Sequence, residues 1–199
     1  MTGAPVEDIE GCRAAHAALL SAVATLTDAQ AREASRLPGW TVGHVLTHLA
    51  RNADSVVRHL KGAARGEVVD QYPGGLEARA AAIEEGAGRP VGVLVDDVAV
   101  ASARAERAFA TMPEQAWDNL VRGSRGNVYP ARFVAFTRWR EVEVHHVDLG
   151  LGRTFDDVPA ALVDRWLPME LARLGERVAP ARLLAWVLGR EPAPDLGPW

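Results

Sequence analysis

Cysteine is almost absent. A single residue, Cys12, occurs among 199, which excludes an internal disulfide framework. No stretch approaches the roughly 20 consecutive apolar residues that a membrane span requires. The first residues also lack a basic region followed by an apolar core, the pattern of a secretory leader. The expectation is therefore a cytoplasmic protein with no membrane association. A surplus of positive charge is missing too: the net charge of -4 removes the electrostatic reason to expect nucleic acid as a partner. There is no internal repeat or low-complexity tract. Hydrophobic residues at 48% and charged residues at 24% describe a chain able to bury a core of its own.

Apolar spacing predicts helices over most of the chain. Ile9, Cys12, Ala15, Leu19, Leu20 and Val23 place an amphipathic helix from about Val6 to Leu26. The Pro and Gly of Leu37-Pro38-Gly39-Trp40-Thr41 turn the chain, Trp40 anchors that turn, and Thr41 is placed to cap the next helix. That helix runs to about Gly62 on Val45, Leu49, Ala53, Val56 and Leu60, with His48 at the edge of its stripe. A short helix is expected within residues 74–90. A third long helix, from Val91 to Met112, ends before Pro113. A short hairpin is expected in 117–129. Pro130 then suits the first turn of a fourth long helix that ends near Leu149, before Gly150. Two further helices, from Ala160 to Leu174 and from Pro180 to Leu188, and an extended tail from Glu191 to Trp199 complete the chain. The predicted fold class is all-α, a four-helix bundle over residues 1–152 with a short crossover segment, followed by a reduced helical extension over 153–199.

Two pairs of residues carry the chemistry. Glu141 and His145 are four apart, as are His44 and His48, and on a helix that spacing puts both side chains on one face. A carboxylate and an imidazole side by side, joined by an imidazole from another helix, form a divalent-metal site with open positions. At about 100° per residue, Arg138, Glu141, His145 and Asp148 share one narrow stripe. Glu143 falls opposite Glu141, and His146 a quarter turn from His145, so neither joins it. The metal reading takes His48, Glu141 and His145 as ligands, with zinc first and nickel or iron(II) compatible with the same donors. Asp148 and Arg138 would orient the ligands, and His44 and Asn52 would line the pocket. The competing reading makes the stripe an ion-pair ladder along one helix. Cys12 is assigned to packing, and His16 and His59 have no partner visible in the sequence.

The segment from Leu37 to Ala53, Leu-Pro-Gly-Trp-Thr-Val-Gly-His-Val-Leu-Thr-His-Leu-Ala-Arg-Asn-Ala, resembles the N-terminal signature of the mycothiol-dependent maleylpyruvate isomerase family within the DinB-like bundle proteins. Arg138 to Gly150 resembles that family's second signature. The resemblance covers roughly residues 5–155 and implies a DinB-like bundle holding zinc through His48, Glu141 and His145. It further implies mycothiol as a borrowed thiol and the isomerisation of maleylpyruvate to fumarylpyruvate by reversible thiolate addition to the cis double bond. A cation must hold the substrate carboxylates, and Arg138 is one candidate. Arg190 is the other, because Leu184-Ala185-Trp186-Val187-Leu188-Gly189-Arg190 is similar to the closing helix of the isomerase's C-terminal domain. Between Gly150 and Trp199 there is room for two helices but not for that domain's strands. This departure leaves two other readings open: a mycothiol-dependent S-transferase acting on another electrophile, and a non-catalytic metal-binding bundle. The expected partners are a small-molecule thiol and an anionic or electrophilic substrate; monomer and dimer fit the sequence equally.

Overall fold

Helix α1 (Val6–Val23) buries Cys12, Ala15, His16, Leu19 and Val23 along one face. It stops three residues before the expected end because Thr27 starts a new helix. The Thr27 hydroxyl accepts from the Gln30 backbone N–H while the Gln30 side chain accepts from the Thr27 backbone N–H, and this reciprocal cap nucleates α2 (Asp28–Arg32). Thr41 caps α3 (Val42–Ala64) as predicted. Weak periodicity hides the full length of α4 (Gly75–Ala87), which buries only Ile83, Gly86 and Ala87. The next helix, α5 (Val91–Ala110), ends ahead of Pro113.

The crossover holds a short 3-10 helix (Glu114–Asp118) and a two-stranded antiparallel sheet, β1 (Leu120–Arg122) and β2 (Val128–Pro130), with Val121 opposite Tyr129. Pro130 corrects the sequence reading. It ends β2 instead of opening a helix, a strand-end position where its missing N–H costs no ladder bond. Helix α6 (Phe133–Asp148) begins three residues later, and Gly150, at φ +74°, closes it in the left-handed conformation.

The structure is a computed structural model described for residues 3–196, and it comprises two units, Met1–Phe155 and Asp156–Trp199. In the first, α1, α3, α5 and α6 form the expected four-helix bundle. Helix α3 packs on α4, α5 and α6, and α1 packs on α5 and α6. Its central place explains why sixteen of its residues are buried, among them five that are polar: Thr47, His48, Asn52, Ser55 and His59. Polar groups withdrawn from water in this way need partners, and those of His48 form the site. The second unit contains α7 (Ala160–Arg177), with Pro168 within it, and α8 (Pro180–Val187). Residues 191–196 have no regular secondary structure; the remainder of the expected tail, to Trp199, lies outside the described residues.

The start of α3 rests directly on the end of α4. A Cβ added at Gly43 would lie 2.3 Å from the Ala87 carbonyl oxygen, and backbone cannot rotate aside as a side chain can. Gly43→Ala is therefore expected to destabilise the bundle by about 1–3 kcal/mol, measured as an earlier thermal midpoint.

Candidate metal centre

Helix α3 presents His48 to the face of α6 that carries Glu141 and His145. The His48 Nε2 lies 3.1 Å from Glu141 Oε2 and 3.0 Å from His145 Nε2, and His145 Nε2 lies 3.5 Å from the same carboxylate oxygen. Among the described residues this is the one group of three or more candidate ligands that converges so closely. Donors around one ion at about 2.0–2.2 Å sit about 3.4 Å from each other when tetrahedral, so this triangle fits a single cation. The two histidines are almost fully buried, whereas the Glu141 side chain keeps 27% exposure. The triangle therefore has a wet side.

The outer contacts orient the rings. His145 Nδ1 donates to Asp148 Oδ2 at 2.8 Å, which turns Nε2 toward the triangle, the usual arrangement behind a metal-ligating histidine. The Trp40 ring meets His48 edge-on at 5.7 Å, and the Arg79 Nη2 lies 3.0 Å from His48 Nδ1. Burial alone would depress His145, but the hydrogen bonds to Asp148 and Glu141 outweigh it and push the ring up to about 9. His48 is pulled down to about 4, chiefly by burial and against the pull of Glu141. Burial opposes ionisation of Glu141, yet hydrogen bonds from His145 and His48 hold it well below the ordinary carboxylate range. The cluster thus keeps one proton on His145 at neutral pH, in a place suited to a more highly charged cation.

The remaining predicted residues occupy distinct places. His44 belongs to the cap of α3: its Nδ1 accepts from the Thr41 backbone N–H at 3.1 Å, and its Nε2 faces Glu84 at 3.2 Å. It stacks on Trp40, one turn from the triangle. Arg138, on the ligand stripe, points into the core with 1% exposure. Its Nη1 donates to the Leu49 carbonyl and to Asn52 Oδ1, both at 2.9 Å, and its Nε donates to His16 Nε2 at 3.1 Å. It forms no ion pair with Glu141, so an ion-pair ladder along α6 lacks its first rung. Asn52 joins the same network and donates to the Tyr72 hydroxyl at 3.5 Å. Arg190 is exposed after α8 in the second unit, where its backbone N–H donates to the Ala185 carbonyl.

Set aside by helical phase, Glu143 is buried and pairs with Arg153. Cys12 is buried 3.7 Å from His16, and burial pushes its thiol up to about 12, so it stays protonated. Three side chains escaped sequence reasoning. His16 acquires Glu106 and Arg138, 90 and 122 residues away; His59 Nε2 meets the Arg122 carbonyl at 2.9 Å; and Arg79 sits on a helix with little periodicity to mark its inner face.

Fold and site together define a DinB-like helical bundle with an open His-Glu-His cluster of metal-binding geometry. The model of the mycothiol maleylpyruvate isomerase N-terminal domain family matches residues 12–150, and the chain belongs to that family. Among solved structures it is similar to the crystal structure of the mycothiol-dependent maleylpyruvate isomerase, with 29% identity and a TM-score of 0.77 over 80% of this chain. A histidine-to-alanine mutant of that isomerase matches equally well. The chain spans 66% of the length of each. No curated protein matches.

Proposed function

We propose that the protein is a zinc- and mycothiol-dependent isomerase that converts maleylpyruvate to fumarylpyruvate by reversible thiolate addition to the cis double bond. The carrying observation is the convergence of His48 Nε2, Glu141 Oε2 and His145 Nε2 within 3.5 Å, inside the segment that the family model matches. When bound, zinc would supply an acidified thiol and Lewis-acid polarisation of the substrate.

The chain's own groups prepare that chemistry. His48, Glu141 and His145 would hold the ion and leave its wet side open. Asp148 would fix the His145 tautomer. We assign Arg138 a positioning role in place of the substrate contact read from the sequence, because its guanidinium is enclosed and donates to α3 and α1. Through Leu49 and Asn52 it sets the part of α3 that follows His48. His44 would hold the start of α3 beside Trp40. The buried, protonated Cys12 cannot act as nucleophile, which is consistent with a thiol supplied from outside. A role for Arg190 rests on the resemblance of its segment alone.

The direct test is maleylpyruvate turnover by zinc-loaded protein with and without mycothiol. Conversion to the trans product only with the thiol supports the reading, and no turnover with both present overturns it. A mycothiol conjugate formed without isomerisation would identify an S-transferase. Metal affinity provides a second check. A metal binds the neutral ring, and His145 holds its proton up to about pH 9, so zinc must displace it. Apparent affinity is expected to fall about tenfold for each pH unit below 9. Calorimetry in buffers of different ionisation enthalpy should show release of about one proton at neutral pH; affinity independent of pH between 6 and 9 would contradict this.

Asp148→Asn keeps the shape of the side chain but removes the charge behind His145. Zinc affinity is expected to weaken about 10–100-fold, measured by competition with a chromophoric chelator.

A further inference from the structure

We infer that Arg79 is the receptor for a carboxylate of the substrate, an inference that rests on the isomerase reading for its substrate class, a small dianionic 2-oxo acid. Arg79 lies on α4, half-buried, with its guanidinium carbon 5.6 Å from the centre of the Tyr72 ring. Its Nη2 reaches within 3.0 Å of His48 Nδ1. It forms no ion pair among the described residues, although Glu77, Glu84 and Glu85 share its helix, and Glu84 turns to His44.

Hydrogen-bond capacity decides what this guanidinium can do. Arginine has five N–H donors and no acceptor. His48 faces the triangle through Nε2, and a ring that ligates through one nitrogen carries its proton on the other. His48 Nδ1 then has no lone pair to offer Arg79. A guanidinium resting on an aromatic face with no carboxylate beside it, its Nη2 released from His48 once that ring ligates, is complementary to a bidentate carboxylate. Its place beside the His48 ring puts that carboxylate within one small molecule's length of the triangle. Arg138, the other candidate cation within the bundle, does not share this arrangement, being enclosed in the core. In the cis-ene dicarboxylate class, one carboxylate held by Arg79 would keep the rest of the molecule close to His48, Glu141 and His145, which would hold the ion.

The test uses the full chain, zinc-loaded, as wild type, Arg79→Ala and Arg79→Lys. Zinc content is measured by elemental analysis, and the binding of maleate, a non-isomerising cis-dicarboxylate probe, and separately of mycothiol, by calorimetry. The expected result is at least tenfold weaker maleate binding in R79A with zinc content and mycothiol affinity kept, and partial recovery in R79K, which restores the charge without the fork. In turnover, KM for maleylpyruvate should rise by a similar factor while kcat changes less. Wild-type affinity for maleate in R79A overturns the assignment. So does loss of zinc, which would make Arg79 a prop for His48, and so does loss of mycothiol binding with maleate binding intact. If wild type binds maleate in an Arg79-dependent manner but turns nothing over, the isomerase reading fails and the carboxylate receptor stands. If wild type isomerises and R79A matches it in KM, the reverse holds.

Discussion

His145→Ala is expected to purify without stoichiometric metal and to lose turnover by about 10³-fold. Three donors define the candidate ion's position, and removing one leaves His48 and Glu141 on different helices with no third point to fix it. Lewis-acid stabilisation is worth several kcal/mol, and about 1.4 kcal/mol corresponds to each tenfold in rate, which sets the size of the loss. The fold should survive, because the polar neighbours left behind, Glu141 and Asp148, keep some access to water. Elemental analysis alongside circular dichroism separates the two effects. A variant that keeps its helical signal, retains one equivalent of zinc and turns over at the wild-type rate would remove His145 from the site. Metal-free wild type would remove the metal centre altogether.

Arg138→Ala is expected to act on stability instead. Its side chain is enclosed without a carboxylate partner, and burial lowers its pKa from the ordinary arginine value, so the charge itself is an unfavourable guest. The hydrogen bonds outweigh that cost. Truncation would strand Asn52 Oδ1 and leave His16 Nε2 with only the weak Cys12 thiol donor, an orphaned buried acceptor costs about 1–3 kcal/mol, and the cavity adds to it. With relief of the buried charge subtracted, the expected loss is about 2–5 kcal/mol, or about 4–20 °C in thermal midpoint for a chain of this size. Arg138→Met should lose less, because it refills the volume and buries no charge. Zinc content should persist in the folded Met variant, as Arg138 is not a ligand. An unchanged midpoint in R138A would show that the network contributes nothing.

The helices were legible because burial imposes a 3.6-residue period on apolar residues, and α3 and α5 show it clearly. Where burial is shallow the period fades, so nothing in the spacing of α4 marks the inward position of Arg79. Pro130 was misplaced because proline fits both the first turn of a helix and the end of a strand. The choice depended on the pairing of Val121 with Tyr129, which is not a local property.

The site divides in the same way. Spacing along α6 determined that Glu141, His145 and Asp148 share a stripe and that Glu143 and His146 leave it, because helix geometry is a property of the chain itself. Capping chemistry placed Thr41 at the start of α3. Spacing alone does not separate His44 from His48; the resemblance points to His48. What Arg138 touches, and where His44 goes, are decided by tertiary structure. Packing of α3 against α6 turned His48 to the triangle and left His44 to cap its own helix. Enclosure by α1 and α3 converted Arg138 from a candidate substrate clamp into a buried donor to Asn52 and His16. The physical reason is that a side chain's period is set along one helix, whereas its partner is set by where burial brings a second helix, and contacts such as His48 to His145, 97 residues apart, exist only once the core has formed.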